Sequence, residues 1–139
     1  MAEEEDRTYY GVTSSETGGN WIEVAKTEFG QTERDTTSAL YHLTPIGMYE
    51  DVDEFTWGYT KTGPHATGLA VLADALGQEP SKDLLEAFVD DVVSQFPNEW
   101  RMRRGAVLRW ARGWYAQHNI DILPAALRDL PPTSPRWLL

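Results

Sequence analysis

"WGYTKTGPHATGLAVLADALG", residues 57–77, decides how this chain is read. Gly63-Pro64 opens a run of small and apolar residues that continues to Gly77. Proline at a first helical position loses nothing, because the N–H it lacks would have had no partner there. Leu69, Leu72 and Leu76 recur at helical spacing, with His65 at the head of that line. Gly77 stands where helices commonly end in a left-handed residue. The stretch predicts a helix starting at Gly63-Pro64. Trp57 and Tyr59, two apart in an extended lead-in, should project to one side and pack beneath it.

A second reading competes for the same loop. A helix N-terminus holds anions through its free amides and its dipole. Thr62, Gly63 and His65 are then the candidate site residues, with the N–H groups of residues 65–67 as donors and Thr60 and Lys61 nearby. Neither G-x-x-x-x-G-K-[ST] nor G-x-G-x-x-G is present, and Pro64 removes a donor. A strand-to-helix turn explains the loop without a ligand.

Working outward, "RTYYGVT" (7–13) and "WIEVAK" (21–26) read as strands flanking the turn-rich "SSETGGN" (14–20). They predict a β-hairpin behind an acidic tail, residues 1–6. Residues 27–39 are polar and aperiodic, a long connection. "LYHL" (40–43) reads as a third short strand, and residues 47–55 as an acidic loop. Beyond Gly77, Ser81 is an N-cap candidate for a second helix. Its apolar stripe is Leu84, Leu85, Phe88, Val89, Val92, Val93 and Phe96, ended by Pro97. "EWRM" (99–102) reads as extended, with Trp100 and Met102 on one side. A third helix runs over about 104–118, burying Val107, Trp110, Ala111 and Trp114, with Arg109 and Arg112 pointing away. The fold class is α+β: a hairpin or three-stranded sheet on three helices. Residues 7–118 form one domain, and 119–139 a proline-containing extension.

Composition narrows the function classes. With 139 residues, one domain is expected, and the absence of Cys excludes disulfides, thiolate metal sites and thiol catalysis. No signal-peptide pattern and no long apolar run is present, so a cytoplasmic protein without a membrane partner is expected. The net charge is −10, but residues 1–99 hold twenty acids against five bases, and residues 100–139 two acids against seven bases. Nine Arg against three Lys, with many acids, also fits a halophile's hydrated surface.

Phe55, Trp57, Gly58, Tyr59, Gly63, Pro64, Leu69 and Leu72 resemble the signature of a family of small prokaryotic and phage proteins of unknown function. That signature reads like F-x-W-G-Y-x-G-S-G-P-A-x-L-A. The resemblance covers roughly residues 7–115, with Lys61-Thr62 where the family has Gly-Ser. It implies the α+β fold and no assigned reaction.

Three constellations remain. His42, His65 and His118 lack H-x-x-x-H or H-E-x-x-H spacing, so no metal is expected. The acid pairs Asp51/Asp53 and Asp90/Asp91 read as solvated, and no nucleophile motif accompanies them. No cofactor is implied. The basic cluster Arg101, Arg103, Arg104, Arg109 and Arg112 is the strongest charge feature. Arg101, Arg104, Arg109 and Arg112 of that cluster, together with Trp137, Leu138 and Leu139, are the candidate partner-binding set. The expectation is a non-catalytic interaction module, accessory or encoded on a mobile element, which contacts a protein partner or a second copy. The alternatives are nucleic-acid binding through the third helix, or an acidic DNA mimic that blocks a host defence enzyme.

Overall fold

Tyr9 and Tyr10 point to opposite faces of one strand, and that alternation organises the sheet. A computed structural model describes residues 7–14, 16, 18–26 and 39–130. The acidic tail, most of the 27–39 connection and Trp137–Leu139 lie outside the described residues. Four strands form one antiparallel sheet: β1 (Arg7–Thr13), β2 (Asn20–Lys26), β3 (Ala39–His42) and β4 (Trp100–Arg103). Their order is β3-β2-β1-β4. The predicted hairpin is β1–β2. The sheet has one strand more than expected, because the extended segment read at 99–102 pairs with β1.

One face of the sheet carries Tyr9, Gly11, Ile22, Val24, Trp100 and Met102, placed side by side by the register. Tyr9, Ile22, Val24 and Trp100 are buried in the main core, and Met102 packs against it. Three helices supply the rest of that core: α1 (Thr62–Leu76), α2 (Lys82–Asp91) and α3 (Arg104–Gln117). Ser81 caps α2 as expected, its Oγ accepting from the Leu84 amide at 3.2 Å. The helix gives way to a 3-10 turn, Val93–Gln95, before Pro97 is reached. Phe88 of α2 meets Trp110 of α3 edge-on, with centroids 5.1 Å apart. In α3, Trp114 is only half-buried and packs on Tyr115 and His118, while Leu108 and Tyr115 join the buried face. The described part of the proline-containing extension packs on the same body, with Leu127 fully buried in the main cluster.

The helix that decided the reading is buried on nearly every side. Pro64, residues 66–72, Ala75 and Leu76 are all buried, so the Leu69–Leu72–Leu76 stripe is one part of a helix that packs on most of its surface. Gly68 permits the close approach of α2: a Cβ there would sit 3.0 Å from Val89 Cγ2 and 3.1 Å from Leu85 Cδ1. Gly77 ends the helix at φ 77°, as expected.

The lead-in loop is stitched to the helix it precedes. Phe55 and Trp57 are buried, and the Trp57 indole donates to the Asn98 carbonyl at 3.1 Å. Buried Thr67 donates to the Thr56 carbonyl at 2.7 Å. Gly58, at φ 91°, turns the chain so that its amide reaches the Val93 carbonyl. Tyr59 departs from expectation. It is 46% exposed, and its hydroxyl shares a hydrogen bond with Thr56 Oγ1 instead of packing under α1. The glycine turn between Trp57 and Tyr59 breaks the extended lead-in that same-side projection required.

Candidate functional site

The sheet's second face faces away from the three helices. The register sets His42, Glu23, Tyr10 and Arg101 in one row across all four strands. Trp21 and Val12 form the adjacent pair on one side; Ala25, Thr8 and Arg103 form the row on the other. Val12 and Ala25 are buried yet stand outside the main core cluster, as their orientation requires. Glu23 is 6% exposed, and its Oε2 accepts from the Trp21 indole at 2.8 Å. His42 Nε2 lies 3.8 Å from the same oxygen, and its ring stacks on Trp21 at 6.5 Å. This face therefore joins a buried carboxylate, Glu23, and two half-buried aromatics, Tyr10 and Trp21, to two exposed guanidinium groups, Arg101 and Arg103. Beside it lies a hollow of about 250 Å³ walled by Tyr10, Val12, Glu99 and Arg101.

The five arginines that cluster in the sequence do not cluster in space. Arg101 and Arg103 sit on the sheet's outer face. Arg104 turns inward, its Nε donating to the Ala75 carbonyl at the end of α1, 3.0 Å away. Arg109 is exposed on α3. Arg112, expected to point away, is half-buried, and its Nε reaches the Leu130 carbonyl at 3.3 Å. Trp137, Leu138 and Leu139 lie outside the described residues.

The anion-site residues come together, but their donors differ from those expected. The helix begins at Thr62, so the His65 amide is already bonded to the Lys61 carbonyl at 3.1 Å. The amides of 65–67 belong to the helix ladder, which corrects the expectation that they are free. The cause is one extra half-turn before Pro64, which places the proline inside the first turn. His65 Nδ1 also contacts the Lys61 carbonyl, at 2.9 Å, and the ring stands beside Tyr49. A Cβ on Gly63 would overlap Thr56 Oγ1, so that glycine is explained by packing. Asp51, Asp53, Asp90 and Asp91 are exposed. Among the described residues, no three His, Asp or Glu side chains converge for a metal ion. No described helix is long and apolar enough to cross a membrane.

The model of a family of unknown function, DUF6166, matches residues 10–113, which span β1 to most of α3. The chain belongs to the DUF6166 family. No curated protein matches it, and no solved structure does.

This DUF6166 chain also holds a polar hub that its sequence did not announce. Asp74, on the α1 side facing the sheet, accepts from Tyr9 at 2.7 Å and from Tyr41 at 2.6 Å, one phenol on each oxygen. Arg7 Nη2 stands 3.1 Å from both the Asp74 carboxylate and its carbonyl. The available signal was a lone acid in the apolar run 66–76; Glu23 carried a similar one, set in an apolar strand. Burial, then the hydrogen bond to Asp74 and its negative charge, push the Tyr41 phenol up to about 12. The same causes hold Tyr9 well above the ordinary tyrosine value. The fold thus favours the neutral phenols. Their contribution is complete below the unfolded value, about 10, and is lost as pH rises through the folded value, about 12 for Tyr41. A tyrosinate absorbance titration should show three of the DUF6166 chain's six tyrosines ionising late: Tyr115, held up by burial alone, and Tyr9 and Tyr41, whose ionisation should accompany loss of structure. Uniform ionisation in the native state would contradict this.

Proposed function

We propose that the chain is a non-catalytic interaction module that binds an acidic partner protein through the outer face of its sheet. The observation that supports this reading is the pairing of Tyr10 with Arg101 and of Val12 with Trp21 on a face turned away from the helices. Tyr, Trp and Arg are the residue types that dominate binding energy at protein interfaces. Arg101 and Arg103 place positive charge there, in a chain of net charge −10, so an acidic partner is steered to this face. Arg109 places a further exposed positive charge on α3, and Trp137–Leu138–Leu139 is proposed as a second, apolar anchor. Arg104 and Arg112 act in this reading by fixing α1 and the 120–130 segment. Glu23 is engaged with Trp21 and His42, which suits a role in rigidifying the surface more than one in proton transfer. The resemblance to phage and prokaryotic proteins supports an accessory, mobile-element origin.

The test is affinity capture from the native host with the wild type and with Arg101→Glu/Arg103→Glu. The double reversal should weaken partner binding by on the order of 10- to 100-fold, the usual range for charge pairs at interfaces, with an unchanged melting temperature. Equal capture by both proteins would overturn the reading. Steeply salt-dependent binding of single- or double-stranded DNA would move it to nucleic acid.

A further inference from the structure

The helical side of the molecule carries a cleft that plays no part in the proposal above. The 3-10 turn Gly47–Tyr49 lies along the first half of α1, and the start of α2 forms the opposite wall. Two hollows adjoin there, sharing Tyr49, His65 and Glu86. One is about 370 Å³ and the other about 400 Å³. Each falls in the range of pockets that take a small ligand or a few side chains.

The floor and the rim differ in chemistry. Leu69 and Leu85, both core residues, expose their last few per cent of surface in the hollow of about 370 Å³, beside Pro80. Met48 stands at its edge 83% exposed, an unbranched apolar side chain that adapts to varied shapes. Glu79 and Glu86 line the cleft, and Glu50, Asp51 and Asp83 are exposed on the adjoining residues of its walls. Lys61 and Lys82 are the only Lys or Arg among its lining residues, beside His65. The residues of the cleft and its margins thus hold five carboxylates against two ammonium groups.

We propose that this cleft docks a basic, apolar segment of a partner protein. Large apolar side chains would cover Leu69 and Leu85, with Met48 folding over them, and Lys or Arg would meet Glu79 and Glu86. The charge preference is the reverse of that on the sheet's outer face. The two faces would therefore recruit different partners.

The test uses the full chain, isotope-labelled for NMR, with a short amphipathic lysine–leucine peptide as probe and its glutamate–leucine counterpart as control. The lysine peptide should bind saturably, with shifts centred on Met48, Tyr49, His65 and Leu69. Glu79→Lys/Glu86→Lys should weaken it by on the order of tenfold and favour the glutamate peptide, as charge complementarity requires. Arg101→Glu/Arg103→Glu should leave it unchanged, so this proposal and the sheet-face reading fail separately. Equal binding of both peptides, or unsaturable shifts spread over the acidic surface, would overturn it. So would a cleft already closed by a second copy, seen as dilution-dependent shifts at Met48.

Discussion

Gly11→Val should abolish stable folding, and Gly11→Ala should cost about 3 kcal/mol or more, the upper range for overpacking. Gly11 pairs with Trp100 across β1–β4, and the indole lies directly over the position a Cβ would take. The ring cannot swing aside. Phe96 stacks on it at 4.0 Å with a 15° interplanar angle, and Trp57 meets it at 90° and 5.5 Å. Three aromatics from the lead-in loop, the segment after α2 and β4 thus lock around one glycine. Urea unfolding followed by tryptophan fluorescence gives the measurement. The double variant Gly11→Ala/Trp100→Leu should recover part of the loss, because the clash is removed with the ring. An unfolding midpoint for Gly11→Ala equal to that of the wild type would show that the aromatic lock is looser than described.

Asp74→Ala should destabilise the fold by about 3 kcal/mol, since it strands buried hydrogen-bonding groups and one charge. Tyr9 is fully buried and would keep its phenol without an acceptor. Arg7, with 28% of its side chain exposed, would lose its carboxylate but keep water within reach, which limits its share. Tyr41→Phe removes one exposed hydrogen bond and should cost about 1 kcal/mol or less. Asp74→Asn keeps a carbonyl acceptor and should fall between the two. In both Asp74 variants the late tyrosine ionisation should move earlier. A small loss for Asp74→Ala with unchanged tyrosine titration would remove the hub from the account.

The elements were legible where local chemistry marks them. Ser81, Pro64 and Gly77 act within one turn of their own positions, so α1 and α2 could be placed from neighbours alone. The partner of β4 could not be read that way. Its pairing joins Tyr10 to Arg101, and nothing local in "EWRM" specifies which strand it meets. The arginine cluster shows the same limit at a candidate site. It spans a strand-to-helix junction, where the period of side-chain direction changes from 2 to 3.6. Arg103 and Arg104 are adjacent in the chain, yet one faces outward and the other reaches α1. Asp74 was hidden for another reason: an acid reads as solvated until the residues that converge on it are known, and these come from β1 and β3.

The position of Asp74 relative to Thr67 has one more consequence. The two are seven residues apart, close to two full turns, so they lie on the same side of α1, about 10 Å apart along its axis. Each is fixed at its outer end, Thr67 to the Thr56 carbonyl and Asp74 to two tyrosines and an arginine. A helix greasy on all sides has little to tell it which way to face and could roll or slide among nearly equivalent packings. Two pegs in two slots forbid both movements: one alone would stop the slide, and the pair also stops the roll. The helix is indexed like a key in a lock, by the few polar atoms it carries and not by the many apolar ones.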